Sequence, residues 1–586
     1  MSRASPSHPP KDNKTMTRNW RLFGLGWALI LAGSLLAHLI QTSGDVRIED
    51  LRFTGADGRT LSAYLYIPPN ATAATPAPGI LAVHGYINSR EVQSGFAIEF
   101  ARRGYVVLAL DQAGHGYSDA PAFAAGFGGP AALQYLRSLD IVDKDNIGLE
   151  GHSMGGWTIL AAAAAHPDDY RAMVLEGSSV GGGRSAPGTP QWPRNVAVVF
   201  SQFDEFAASM WQVPRGSEVG NSAALQALFG TSSAVATGRV YGDIAAGTAR
   251  VLHSPPVTHP GDHISHAAIG HALDWFAQTL EGGTPRPASD QIWFWKEVGT
   301  LTALMGFVVL LCGSFALLLN CAPFAALRAA PAQFGTSARD KRWWLLATLS
   351  AAIPVLSYYP FMRWGGQLLG TWALLPQSIS NQVVFWGVMN GLIFSALGRV
   401  FRAAPGVSPA SRLPPLVSTA LLVLATTGIG YASLLLADFL FQVDFRFWFV
   451  GFKLLSLTQF QIMLAYLLPF TLFFALALRA LHTGLSVAGD SVLRQYAGNL
   501  FALMGGFLLF LLLQYGSLFL TGFLLTPAEA LNTIVMMQFV PLLAMVAVLS
   551  TFTWRRTGSW LPGALLNGLV VSWYVVAGQA TQFAVN

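Results

Sequence analysis

Apolar and polar positions alternate in three regimes along this chain. Residues 20–40 form one unbroken apolar stretch, residues 42–288 mix short apolar runs with polar ones, and apolar spans then follow almost continuously to the C-terminus. A stretch of about 20 apolar residues is long enough to cross the hydrocarbon core of a bilayer. The pattern predicts nine spans, near residues 20–40, 298–319, 343–359, 383–400, 416–441, 455–478, 500–524, 534–553 and 561–579. In the middle regime, residues 47–53 and 61–67 alternate around Asp57-Gly58, the signature of a hairpin. Short continuous apolar runs follow at 79–83, 106–110, 146–150, 172–175, 196–200 and 250–252. Helix-forming segments at 94–103, 157–165, 223–229 and 267–280 lie between or after them. Buried strands alternating with helices predict a mostly parallel α/β sheet covered on both faces. The expected organisation is a tail over 1–19, an anchor over 20–41, an α/β domain over 42–281, a linker over 282–292 and an all-α polytopic membrane domain over 293–586.

Composition supports this division. Of 586 residues 53% are hydrophobic and only 11% charged, against about 25% charged in an average soluble domain. The net charge of +5 points to topology rather than to nucleic acid, because of where the basic residues stand. Arg3, Lys11, Lys14, Arg18 and Arg21 precede the first span. Arg328, Arg339, Lys341 and Arg342, then Arg399, Arg402 and Arg412, then Arg479 and Arg494, then Arg555 and Arg556 fall in linkers assigned to the same side. The positive-inside rule places these in the cytoplasm of a bacterial-type cell, and the α/β domain and C-terminus outside it. No small-x-small cleavage site precedes Asp45, so the first span is expected to stay as an anchor. Trp293, Trp295, Trp343 and Trp344 fit an aromatic belt. Cys312 and Cys321 lie in or beside one span and form neither a disulfide framework nor a metal cluster.

The chemistry is concentrated in Gly151-His152-Ser153-Met154-Gly155-Gly156, directly after the run at 146–150 and directly before an alanine-rich helical segment. Gly-x-Ser-x-Gly between a strand and a helix presents a serine on a sharp turn, and the crowding there requires glycine at Gly151 and Gly155. Three further blocks stand in order: His84-Gly85-Tyr86, the run Ala101-Arg102-Arg103-Gly104-Tyr105-Val106-Val107, and Asp111-Gln112-Ala113-Gly114-His115-Gly116-Tyr117-Ser118. With these four blocks the chain resembles the α/β-hydrolase superfamily over about residues 46–280, and within it the dienelactone-hydrolase-like and serine-esterase branch.

The resemblance implies a doubly wound sheet and a serine, acid, histidine triad in that chain order. Ser153 is the expected nucleophile. A serine hydroxyl is a weak nucleophile at neutral pH and needs an imidazole to take its proton, with a carboxylate fixing the imidazole tautomer. Asp204, after the run at 196–200, is the preferred acid, with Glu205 beside it and Glu176 one strand earlier as alternatives. The stretch Thr258-His259-Pro260-Gly261-Asp262-His263-Ile264-Ser265-His266 offers three histidines. His263 is preferred, ahead of a helix capped by Ser265, with His259 second and His266 third. Backbone N–H groups of Tyr86 and Met154 are expected to form the oxyanion hole. His84, His152 and His115 read as structuring residues, and Trp192, Met210 and Trp211 as candidate pocket lining.

These features predict a membrane-anchored, extracytoplasmic serine hydrolase that cleaves carboxylic esters through an acyl-enzyme, with no cofactor and no metal. Its expected partners are a small-molecule or lipid-linked ester and membrane lipids. An acyltransferase or a serine peptidase with the same triad stays open, as does a transporter or receptor with a non-catalytic hydrolase-like domain. The run Thr557-Gly558-Ser559-Trp560-Leu561-Pro562 to Asn567 is similar to the last span of CAAX-type intramembrane proteases. That family's paired glutamates and metal-binding histidines are missing, so its activity is not carried over. The membrane half is expected to serve as anchor or lipid-facing scaffold.

Overall fold

In the computed structural model, residues 13–55, 57–183, 185–329, 339–400, 413–487, 489–578 and 582–583 are described. Arg3, Lys11, Arg402 and Arg412 lie outside the described residues. Nine strands build one sheet: β1 (Arg47–Thr54), β2 (Thr60–Ile67), β3 (Ala77–Val83), β4 (Val106–Asp111), β5 (Val142–His152), β6 (Ala172–Glu176), β7 (Val196–Val199), β8 (Val240–Tyr241) and β9 (Arg250–His253). Their spatial order is β1-β2-β4-β3-β5-β6-β7-β9-β8. β4, β3, β5, β6, β7 and β9 run parallel, while β1, β2 and β8 add antiparallel edges. The continuous apolar runs are the central strands because both of their faces are covered; β3, β4, β6 and β7 are buried at every position. The two-residue β8 was not expected, since it is too short to show a period.

One face of the sheet packs against the helices Gly129–Ser138 and Met154–Ala165 through Leu133, Leu136, Ile159 and Leu160. The other packs against Ser94–Ala101 and His266–Thr279 through Phe96, Ile98, Ile269 and Leu273. Trp211 and Met210 belong to the buried core and Trp192 packs against it. The Trp211 indole N–H donates to the Ser178 carbonyl at 3.0 Å, so this ring holds the core together rather than lining an open pocket.

Among the described residues, seven helices are long and apolar enough to cross a membrane, and the pair Lys341–Leu356 and Tyr358–Leu369, bent by 47°, would make an eighth. That bent pair covers the span expected at 343–359. The span expected at 383–400 lies in the helix Ser378–Val400, which is not among those eight. The first helix, Asn13–Gln41, begins inside the expected tail and packs antiparallel on Trp293–Leu318. The contact is close enough that a Cβ on Gly33 would lie 2.4 Å from the Gly299 carbonyl, and one on Gly306 2.8 Å from the Ile30 nitrogen.

The helical region is joined tightly to the α/β domain. The Glu99 carboxylate accepts from the Ile292 and Trp293 N–H groups at 2.6 and 3.0 Å, which ties the end of the segment 282–292 to the α/β domain. The loop after β4 touches the helical region twice. Tyr117 Oη donates to the Leu454 carbonyl at 2.8 Å, and Gln459 Nε2 donates to the Gly116 carbonyl at 2.8 Å. Lys453 pairs with the buried Glu91 at 2.8 Å, with Arg446 at 3.7 Å. Burial disfavours the Glu91 charge, but Lys453, Arg446 and Arg90 outweigh it and hold the carboxyl well below its ordinary value. The basic linkers cluster away from this junction: Arg339 bonds the Arg494 carbonyl and Asp490, Arg555 bonds Gln495, and the Arg556 carbonyl accepts from Ala329.

Candidate active site

β5 ends at His152 and the next residue, Ser153, turns the chain into the helix Met154–Ala165 with φ 54° and ψ −119°. A non-glycine residue at positive φ is strained and is kept there only by its surroundings. Those surroundings explain the two glycines of the motif. A Cβ on Gly151 would lie 2.3 Å from the Gly155 carbonyl, and one on Gly155 2.1 Å from the Val83 carbonyl. The Ser153 N–H donates to the Glu176 carbonyl at 2.8 Å, and its own carbonyl accepts from Ser178 Oγ at 2.6 Å and the Gly156 N–H at 2.9 Å. The half-buried side chain is thereby left at the C-terminal edge of the sheet.

The acid and the imidazole come from the loops after β7 and β9. Asp204 Oδ1 accepts from the Phe206 N–H at 2.7 Å, and Oδ2 accepts from His259 Nδ1 at 2.8 Å. Nδ1 therefore carries the proton, and Nε2 is the nitrogen left to accept one. The His259 N–H donates to Glu205 Oε2 at 2.8 Å, and its carbonyl accepts from His152 Nε2 at 2.9 Å. The Phe206 ring stands edge-on to the imidazole at 4.7 Å. Both His259 and Ser153 are placed by the end of β6: Glu176 holds the serine N–H, and the next residue, Gly177, leaves room for the imidazole. A Cβ on Gly177 would lie 3.0 Å from His259 Nδ1.

The expected pairing of Asp204 with His263 is not found. Pro260 opens a 3-10 turn, Pro260–Ile264, immediately after His259, and this turn carries His263 away from Asp204. The His263 ring lies 4.0 Å from His152 and 6.3 Å from Phe96, with both nitrogens buried and unbonded. His266 donates to Gln291 Oε1 at 3.0 Å. Ser265 does cap the closing helix, accepting from the Ala268 N–H at 3.1 Å. The alternative acid Glu176 is buried with both oxygens unbonded, and burial together with Asp262 pushes its carboxyl well above the ordinary value. Glu205 clamps the His259 backbone instead of its ring. No group of three or more metal-ligating side chains in holding geometry occurs among the described residues.

Burial pushes the His259 imidazolium down to about 4, so the ring is neutral near pH 7 and free to accept a proton. Burial and the Asp262 carboxylate push Asp204 above the ordinary carboxylate value, and the Phe206 N–H works against them. On the opposite side of Ser153 the Gly85–Tyr86 turn is fixed by His84. The Gln112 N–H donates to His84 Nε2 at 3.2 Å, so Nδ1 carries the proton and donates to the Gly85 carbonyl at 2.7 Å. Gly85 is closely packed there, since a Cβ would lie 3.2 Å from Ser153 Cβ and 3.1 Å from His152 Nδ1. The Met154 N–H belongs to the first turn of its helix, whose N–H groups lack intrahelical acceptors.

A third set of contacts was invisible in the sequence. Tyr515, on the apolar helix Val492–Thr521, donates through Oη to Glu205 Oε1 at 2.8 Å, and Phe519 meets Phe203 at 5.1 Å. A helix of the C-terminal helical region thus reaches the His259 backbone through one carboxyl group. The separation of 310 residues between Tyr515 and Glu205 leaves no local signal that would have found it.

A model of the alpha/beta hydrolase fold family matches residues 78–235. The quorum-quenching protein AidA of Acinetobacter baumannii is 34% identical over 122 residues, 20% of this chain and 39% of AidA. A monoacylglycerol lipase of Mycolicibacterium smegmatis is 34% identical over 113 residues, 18% of this chain and 39% of the lipase. The chain therefore spans about two-fifths of the length of these curated relatives. Among solved structures, an esterase of Pyrococcus furiosus aligns over 40% of this chain and 94% of its own, with 16% identity and a TM-score of 0.30. The strand order, the serine turn and the matched residues together make the globular part an α/β-hydrolase fold, followed in this chain by a helical region with several long apolar helices.

Proposed function

We propose that this protein is a membrane-anchored, extracytoplasmic serine hydrolase that cleaves carboxylic esters, lipid-linked ones included, by way of an acyl-enzyme. The observation that carries this reading is the hydrogen bond from His259 Nδ1 to Asp204, formed at the strand end that also holds the strained Ser153 turn. Ser153 Oγ attacks the ester carbonyl carbon while His259 Nε2 takes its proton. The tetrahedral oxyanion is met by the N–H groups of Met154 and Tyr86. His259 then returns the proton to the departing alcohol oxygen, and the acyl group stays on Ser153. Water, deprotonated by the same imidazole, repeats the sequence and releases the acid. The preferred base is now His259, because His263 has no carboxylate to orient it. The clustering of arginines at the helix ends away from the hydrolase domain supports an outward-facing domain.

The test is labelling of the full-length protein with an ethyl-chain fluorophosphonate. Adduct formation on Ser153 that disappears in Ser153→Ala is expected, with acid release from ester unaffected by added alcohols. Folded protein that takes no label overturns the reading in favour of a binding domain, and acyl transfer to an added alcohol in place of acid release overturns hydrolysis.

A further inference from the structure

Two side chains from different parts of the sheet hold the backbone of His259. Glu205 Oε2 accepts from its N–H at 2.8 Å, and His152 Nε2 donates to its carbonyl at 2.9 Å. With the peptide groups on both sides of the residue tied, and Asp204 on Nδ1, the imidazole has little freedom left. The backbone fixes where the ring starts, and the carboxylate fixes how it is turned. Glu205 follows β7, whereas His152 is the last residue of β5 and the direct neighbour of Ser153. One strand end therefore leads into the serine turn and also holds one side of His259.

His152 is itself set up for that bond. Its ring is buried, and Nδ1 has no hydrogen-bond partner among the described residues; it faces Gly85, where a Cβ would lie 3.1 Å away. The proton therefore sits on Nε2, which meets the His259 carbonyl and lies 3.7 Å from Asp262 Oδ2. Asp262 is held in turn by Ser201 Oγ, which donates to its Oδ1. Burial lowers the His152 pKa against the pull of Asp262, so the ring donates as a neutral imidazole. The His263 ring packs against it at 4.0 Å. All of this converges on Gly177, where a Cβ would lie 2.9 Å from Asp262 Oδ2 and 3.2 Å from His152 Nε2. A second carboxylate and imidazole thus stand beside Asp204 and His259, aimed at the backbone of the first pair instead of at the serine.

We infer that His152 is a positioning residue, whose Nε2–H holds the His259 carbonyl and so keeps the His259 imidazole in register with Ser153. The inference rests on the reading of Ser153 as nucleophile and His259 as base, and adds to it a residue that acts only through His259. A buried carbonyl that loses its donor has no water to replace it, so the loss is felt at the ring which that peptide carries. The effect falls on acylation and not on ester binding.

The experiment moves the donor atom by substitution in the full-length protein in detergent. His152→Gln puts an amide N–H near the place of Nε2, His152→Asn puts one near the place of Nδ1, against Gly85, and His152→Met fills the volume without a donor. In His152→Met and His152→Asn, labelling by the ethyl-chain fluorophosphonate and kcat for a short ester should each fall by about ten-fold or more, with KM within about two-fold. His152→Gln should stay within about three-fold of native. If His152→Met does not accumulate as folded protein, the comparison of His152→Asn with His152→Gln decides. Native rates in His152→Met or His152→Asn, a His152→Gln as slow as either, or a rise in KM that matches the fall in kcat overturns the inference. Failure of the underlying reading is a separate result: native protein then takes no label on Ser153, or His259→Ala is labelled at the native rate.

Discussion

The two arms of the site are built differently. The serine arm is local: Ser153 is held by Glu176, Gly156 and Ser178, all within the hydrolase domain and within 25 residues of it in sequence. The histidine arm is assembled from afar. Asp204 and His259 come from separate loops, and the clamp on the His259 backbone, Glu205, is itself held by Tyr515 of a helix in the C-terminal helical region. Ser153 would keep its geometry if the helical region were disturbed, while His259 depends on both halves of the chain. The helical region is thus part of the site's framework and not only its tether.

The sharpest break of this comparison is between the two histidines. His259→Ala removes the ring that Asp204 orients, and turnover is expected to fall by about 10⁴-fold or more, with loss of fluorophosphonate reactivity. His263→Leu fills a buried site whose imidazole makes no hydrogen bond, and should change kcat/KM by less than about ten-fold. A collapse in His263→Leu with normal turnover in His259→Ala would reverse the assignment of the base.

Next in size is the strut from the helix Val492–Thr521. Tyr515→Phe deletes the donor to a buried carboxyl group, a change worth about 1–3 kcal/mol where it leaves a polar group unpaired. Because Glu205 acts on His259 and not on bound ester, kcat should fall by about 3- to 30-fold with KM for a short ester unchanged. Tyr117→Phe is the control, since it cuts a junction bond of the same length, to Leu454, on the side of the site away from the imidazole. Equal losses of kcat in the two variants would show that the junction matters as a whole, and the difference between the arms would disappear.

This asymmetry also explains what could be read from sequence. Gly151, Ser153 and Gly155 are diagnostic as a string, because a turn this tight leaves the chain no other residues. The strands were legible because central parallel strands must be apolar throughout, and β8 was missed because two residues carry no period. His263 was preferred for its Gly-Asp-His setting and its place ahead of the capped helix. Asp204 pairs with His259 instead, because Pro260 starts a turn that places the later histidine elsewhere. No spacing rule reports that rotation, nor the contact of Tyr515 with Glu205, which exists only once the two halves have packed. The same holds for the helical region, where scarce charge hid the pairing of Lys453 and Arg446 with Glu91.

The pH profile sharpens the histidine arm further. Burial lowers the His259 pKa to about 4, and only the neutral ring accepts the serine proton. Activity is therefore expected to rise with pH through an apparent pKa below the ordinary histidine value of about 6.5 and to be flat from there to neutrality. A kcat/KM limb centred at or above that value would mean that the imidazole is better solvated, or more strongly paired with Asp204, than its burial implies.

The smallest effect concerns the serine arm's own strand. Glu150, on β5 three residues before Ser153, is fully buried, and burial raises its carboxyl to about 8 against the Gln93 amide, which donates to it at 2.7 Å. A carboxyl raised in the folded state keeps its proton to higher pH than it does in the unfolded chain. Its stabilising contribution is complete below the unfolded value of about 4.5 and is lost progressively as pH rises to about 8. Glu150→Gln removes this slope, and its amide can donate to Gln93 Oε1, which has no partner in the native protein. At pH 8 the variant should melt about 2–4 °C higher than the native chain, with the difference shrinking toward pH 5, as thermal denaturation of the detergent-solubilised protein would show. Since Glu150 touches neither Ser153 nor His259 in any hydrogen bond, labelling by the ethyl probe should be unchanged. A parallel loss of labelling would mean that the strand beneath the serine is as dependent on long-range support as the loop that carries the histidine.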